Sequence, residues 1–535
     1  MLNQKLVFGD NNDGILYFPL SQTRALFVAN NEYPNPEIMF NHFGKNINSD
    51  DVKYMQASLG VSIFEIEKDD RGYKVVLDSK YNRRIDANTP TRLSGGASKS
   101  SALKTAFSDG IKSKGTFGNC SNGKTPWGTY LTCEENIDEY FGSSDKNLKL
   151  SPSQKRFSMK HDSLYSWEKF DPRFDIAKHP NEVNNFGWIV EIDPFNKEST
   201  PIKRTSLGRF KHENIEIIVN SDKTITAYMG DDEANEFLYK FVSTKSIDSK
   251  DPDILDHGTL YVARLTSDDE THLSGTGKWL ALAYLENGLT KENGFFNQAD
   301  ILLRTREAAS FVGATELDRC EWIASDNDKR YCYVTMTNNT KRKDKGPASP
   351  RANNIYGQIM QWRAKDDNHK LDEFRWSIYA LGGNPLVYEK GLNKGSVSKD
   401  SMFNSPDGLK IDKSGRLWIA TDGNYSNEGP FKGQGNNGLF AANPITGEMK
   451  RFLSAPRASE VTGITFNEDQ SVMFCCIQHP GEGITKNAFG SDKEYEEAKK
   501  RGMISVESHF PNGTTSTPRS SVMMIYKKDE GEVGS

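Results

Sequence analysis

The feature that most constrains this chain is a recurring strand pair. A short apolar or aromatic strand ends in acidic or amide residues, turns, and is followed by another strand. LFVANNEY (26–33), TYLTCEEN (129–136), TITAYMGDDE (224–233), RYCYVTMTNN (330–339), RLWIATDGN (416–424) and SVMFCCIQHPGE (471–482) repeat the pattern. Partner strands follow in GWIVEIDP (187–194), EFLYKFV (236–242), IYGQIMQW (355–362) and GLFAANP (438–444). Strand pairs repeating at intervals of tens of residues are the sequence signature of a β-propeller. The expected fold is therefore all-β, a six-bladed propeller, with the polar strand ends gathered at one mouth of its channel.

Sustained helical periodicity is nearly absent, and one short helix is expected near Leu164–Phe170. Polar, irregular stretches at 141–183, 243–256, 340–352 and 483–520 read as loop and short-helix insertions on one domain spanning 1–535. Length alone would suggest several domains for 535 residues, but no linker separates them and large β folds break that prior. The net charge of −5 comes without a basic block, so no nucleic-acid footprint is present. No apolar run is long enough to span a membrane. Six cysteines in so long a chain make no disulfide scaffold, and most are expected to be free and buried.

One stretch, GTFGNCSNGKTPWGTYLTCEEN from Gly115 to Asn136, concentrates chemistry. Turn formers flank Cys120 and present its sulfur from a bend. Glu134 and Glu135 leave the end of the next strand, where adjacent side chains point to opposite faces. Alone, the stretch fits a reduced core cysteine beside a solvated acidic turn as well as it fits a site. Asp231-Asp232-Glu233 would repel one another unless a cation sits among them, and hard oxygen ligands suit calcium. His212-Glu213 precedes an apolar strand. Asp318-Arg319-Cys320-Glu321 sets a guanidinium fork two residues from a carboxylate, suited either to phosphate or to a structural ion pair. Asp407 in SPDGL and Asp422 in TDGN bracket a strand, with Asp422 read as a turn residue; Glu460, His479 and Glu32 are weaker candidates. No Gly-x-Ser-x-Gly elbow, Cys-x-x-Cys pair or P-loop occurs, which leaves a metal-centred hydrolase.

The Gly115–Asn136 stretch resembles the signature of the PhoX family of alkaline phosphatases. So do Asn11-Asn12-Asp13, NNEYPNPEIMF, TPTRLSGGA, KHENIEI, YMGDDEANEFLYKF, ATELDRCEWI, SPDGL and IQHPGEG. The resemblance implies a phosphomonoesterase with two ferric ions (Fe3+) and three calcium ions (Ca2+) in one cluster. Iron would take Cys120, Glu134 (or Glu135), Glu213 and Glu321; calcium would take Asp231, Asp232 and Asp407; Arg319 would hold the substrate phosphate. His212, Glu32, Glu460 and His479 would lie beside them. Cys320 stands where relatives often have proline. It further implies small phosphorylated substrates, a monomer, and a periplasmic or secreted location reached through an export segment. The FGDNND motif starts at Phe8, so that segment, and with it a propeller-closing strand, is expected to be missing. Two other readings explain the carboxylates: a calcium-dependent gluconolactonase-like hydrolase and a non-catalytic calcium-binding propeller. Both leave Cys120 and Arg319 without a role.

Overall fold

A computed structural model of the chain describes residues 8–42, 44–70, 72–482, 491, 493, 497, 507–513 and 516–535. Much of the insertion expected at 483–520 lies outside the described residues.

Twelve strands carry the site. They are β1 (Asn12–Pro19) and β2 (Arg24–Asn31), β3 (Asn119–Lys124) and β4 (Tyr130–Glu134), β5 (His212–Val219) and β6 (Ile225–Asp231), β7 (Cys320–Ser325) and β8 (Tyr331–Met336), β9 (Pro406–Ile411) and β10 (Leu417–Thr421), β11 (Glu460–Phe466) and β12 (Val472–Gln478). Each odd-numbered strand pairs antiparallel with the even-numbered one that follows. Each odd-numbered strand also packs beside the next in chain order, and β11 returns to β1, so six inner strands close a ring. This is the all-β propeller arrangement that the strand repeat predicts. One feature departs from separate blades: Ser274–Ala281 pairs with Glu373–Leu381, fusing the third and fourth units at their outer edges into a nine-stranded sheet.

Burial explains the composition of the strands. The second strands are largely apolar up to their polar mouth ends because neighbouring sheets cover both of their faces, as in β10, where every residue is buried. The outermost strand of the same sheet, Met449–Ser454, alternates between half-buried and exposed. Aromatic and aliphatic side chains fill the wedges between sheets, and seven of the eight tryptophans are almost wholly buried. Each such side chain contributes roughly 1.5–3 kcal/mol of hydrophobic stabilisation.

The insertion at 141–183 is packed rather than loose. Tyr140, Phe141, Tyr165, Trp167 and Phe174 form one apolar cluster with Phe117, Phe186 and residues of a helix at Ser49–Ser58. Tyr140 donates its hydroxyl to the Glu32 carbonyl (3.1 Å), so this cluster braces the channel mouth. The helix expected near Leu164–Phe170 is a single 3-10 turn, Trp167–Lys169. The Ser49–Ser58 helix escaped the periodicity reading, although Asn48 and Asp51 form a capping box at its start.

Candidate metal centre and active site

A repeated backbone irregularity builds the site. Every inner strand carries a β-bulge near its mouth end, where the inner strand advances three residues while its partner advances two. A bulge redirects the side chain it carries. In five consecutive units the last rung before the bulge is Asn12–Asn31, Asn119–Glu134, His212–Asp231, Cys320–Met336 and Pro406–Thr421. The first bulged residue after each rung is Asp13, Cys120, Glu213, Glu321 and Asp407. The residue just past the even strand's rung is Glu32, Glu135, Asp232, Thr337 and Asp422. Two rings of donors therefore face the channel.

Ligand-capable atoms converge accordingly. Asp13, Cys120 and Glu213 lie within 4.8 Å of one another, as do Glu32, Cys120 and Glu135; Glu135, Glu213 and Asp232; and Glu213, Glu321 and Asp407. The shared members make one continuous cluster. A further group, Asp422, Glu460 and His479, bridges the fifth and sixth units. Cys120 Sγ lies 2.8 Å from Asp13 Oδ2 and 3.2 Å from Glu213 Oε1. Arg319 reaches in with a fork: its Nε and Nη2 each donate to Asp232 at 2.7 Å, and Nη2 lies 3.3 Å from Glu321. Its side chain stays 32% exposed, so an anion can reach it.

Three expected residues stand elsewhere, for one reason. Glu134, Asp231 and His212 are rung residues and point into the scaffold. Glu134 accepts from Lys203 Nζ (2.7 Å) and from the Gly187 and Trp188 amides. Asp231 takes the fully buried Arg306 fork, with Nε at 2.8 Å. His212 stacks on Phe210 and meets the Gly208 carbonyl at 2.9 Å, and burial lowers its pKa to about 3. Of Glu134 and Glu135, Glu135 is the one whose carboxylate lies in the cluster. In the other direction, the sequence reading passed over Asp13 inside its Asn-Asn-Asp motif and took Asp422 for a turn residue. It also missed Lys211, whose Nζ lies 3.1 Å from both Asn136 Oδ1 and Asp138 Oδ1. Asn136 in turn donates to Glu135 Oε2 at 2.7 Å.

Lys203 and Glu134 are both fully buried. Removing one partner of such a pair strands a charge. Lys203→Met is expected to cost about 3–5 kcal/mol in chemical denaturation while leaving metal content unchanged, because the pair faces away from the cluster.

Packing these acids together perturbs their protonation. Burial and then mutual repulsion push the carboxyls of Glu32, Glu135, Glu213, Glu321, Asp407 and Glu460 well above their ordinary range. Asp13 rises to about 6, mainly by burial, and burial with nearby carboxylates pushes the Cys120 thiol up. Asp232 alone is lowered: burial opposes this, but the Arg319 charge and hydrogen bonds outweigh it. Glu135 Oε1 is buried without a hydrogen-bond partner. Such a crowd of acids is tolerable only with protons or cations among them. A thiol among carboxylates suits a transition metal, and the all-oxygen groups suit calcium.

Comparison with known proteins agrees with this geometry. The family described as alkaline phosphatase PhoX matches residues 1–481. A solved structure of Pseudomonas fluorescens PhoX, in complex with vanadate as a transition state analogue, is 46% identical. It superposes with a TM-score of 0.92 over 99% of this chain and 91% of that one. A protein of unknown function from Dyadobacter fermentans shares 7% identity at a TM-score of 0.37, covering 89% of this chain and 93% of that one, too distant to bear on function. A search of curated protein sequences finds no match. With the family profile matched across most of the chain and a solved member nearly half identical, this chain belongs to the PhoX family of alkaline phosphatases.

Proposed function

We propose that this chain hydrolyses phosphate monoesters at the ring mouth, with iron and calcium held in the carboxylate–thiol cluster and Arg319 gripping the phosphoryl group. The observation that carries the proposal is the convergence of Asp13, Cys120, Glu213, Glu321 and Asp407, from five consecutive bulges, beside one guanidinium. Iron falls to the groups that include Cys120, namely Asp13–Cys120–Glu213 and Glu32–Cys120–Glu135. Calcium falls to Glu135–Glu213–Asp232, Glu213–Glu321–Asp407 and Asp422–Glu460–His479. Bound ions would supply positive charge that makes an attacking oxygen available at neutral pH and neutralises the phosphate oxygens.

The chain's own residues do the rest. Asp232 pins the Arg319 guanidinium in one plane, so the donors left over form a fixed cradle for phosphate oxygens. Lys211 fixes the amide of Asn136, and Asn136 fixes one oxygen of Glu135, leaving the other free to bind a cation. Gln478 does the same for Glu32, donating to Oε2 at 2.9 Å. Cys120 and Arg319 are both at the centre, where a calcium-only lactonase would leave them idle. The chain acts as a monomer on small phosphorylated molecules outside the cytoplasm; cell fractionation and sizing in solution test these points. Among the described residues, no helix is long and apolar enough to cross a membrane.

The deciding experiment measures iron and calcium per chain in protein purified without added metal, alongside turnover of p-nitrophenyl phosphate and of a lactone. Iron near two, calcium near three and phosphatase turnover support the proposal; calcium without iron, or lactone turnover alone, overturns it. Chelation gives a second readout. The buried carboxyls bind protons more tightly folded than unfolded, so each resists unfolding fully below its unfolded pKa and loses that contribution as pH rises. Chelator-treated protein should therefore lose melting temperature as pH climbs from about the ordinary aspartate value, 3.8, through the Asp13 value of about 6. Metal-loaded protein should show no such fall.

A further inference from the structure

Arg319 stands on a strained backbone. Its φ is +59°, in the left-handed region. The same step, just before the last rung of an inner strand, is also left-handed at Asn11, Gly118 and Ser405. Asparagine and glycine accept that conformation readily, whereas a long side chain pays for it, and such strain persists only where the surroundings impose it.

The surroundings lie in Asp318, the preceding residue. Its carboxylate is fully buried, yet none of the candidate metal groups includes it. Arg342 Nε donates to Oδ1; Asn354 Nδ2 and Gln358 Nε2 donate to Oδ2 at 2.9 and 3.1 Å. Arg342 comes from the 340–352 insertion and also binds the Glu316 carbonyl through Nη2 at 2.9 Å. The Asp318 backbone forms a bridge with Ala234, two residues beyond Asp232, the partner of the Arg319 fork. The Thr337 amide donates to the Arg319 carbonyl at 3.1 Å. One short segment therefore ties the arginine, its carboxylate partner and the insertion together.

We infer that Asp318 is a positioning residue for the phosphate-binding arginine: gripped by Arg342, Asn354 and Gln358, it holds the left-handed step that aims the Arg319 guanidinium into the cluster. The inference rests on the phosphate-binding role given to Arg319 above. It also gives the 340–352 insertion a function, since among the described residues Arg342 is the only charged donor on Asp318.

The test uses the full metal-loaded chain and p-nitrophenyl phosphate. Asp318→Asn keeps the shape but loses the charge that Arg342 grips. Misplacing a catalytic group by about an ångström costs on the order of 10²-fold, so kcat should fall by about 10–10²-fold while iron and calcium per chain stay unchanged. Orthovanadate inhibition should weaken in parallel. Arg342→Ala should give a smaller loss and Arg342→Lys a partial rescue. In an Arg319→Ala background Asp318→Asn should add almost nothing, because residues acting through one another are not additive. Should Asp318→Asn fail to fold, Arg342→Ala in the two backgrounds carries the same comparison. Full kcat in the single variants, or an undiminished effect without Arg319, would overturn the inference. Failure of the underlying role looks different: Arg319→Ala would then keep its activity.

Discussion

Cys120→Ala yields soluble protein that binds no iron and hydrolyses phosphate monoesters at least about 10²-fold more slowly, since disturbing even an outer partner of a metal ligand costs about 10–100-fold. Solubility is expected because Cys120 stands apart from the other cysteines. All six are free and buried. Cys133, Cys320, Cys332, Cys475 and Cys476 belong to apolar clusters, whereas the sulfur of Cys120 touches carboxylates. Truncating it removes no apolar packing. Cys133→Ala is the matched control, and it should lose stability by leaving a cavity while keeping its iron. Elemental analysis beside thermal melting separates the two. Full iron and turnover in Cys120→Ala would return that thiol to an ordinary structural role.

Arg319→Ala is the second large effect. Losing one preorganised donor to a developing oxyanion lowers kcat by about 10²–10³. Metal content should hold, because the arginine pairs with cluster carboxylates and ligates nothing. Arg319→Lys keeps the charge but cannot fork across both Asp232 oxygens, so it should recover only part of the rate. Loss of calcium along with activity would instead make Arg319 a counter-ion of the cluster, with no direct part in phosphate binding.

Much of this was legible in the sequence. The strand repeat announced the ring, and its polar strand ends announced the mouth. What the sequence could not supply was register. Glu134 and Glu135 differ by one residue, and only the pairing of Glu134 with Asn119 assigns the first to the scaffold and the second to the channel. The same offset separates Asp231, in the scaffold, from Asp232, in the cluster, and His212, in the scaffold, from Glu213, in the cluster. Asp13 was hidden for another reason: nothing singles out the last residue of an Asn-Asn-Asp run until the bulge after Asn12 is seen. The helices at Gln298–Leu303 and Thr305–Phe311 are too short to establish a period, yet they deliver the Arg306 that neutralises Asp231.

Closure of the ring through β1 and β11 has a temporal consequence. Asp13 lies near the start of the chain, and its carboxylate accepts from Thr462, far towards the other end. Contacts so distant in sequence form late, after loop-closure entropy has been overcome. A nascent chain emerging with its first strands can therefore offer metal ions only fragments of the cluster. Tight loading must wait for the last sheet to dock, which would make a bound metal ion a reporter of completed folding.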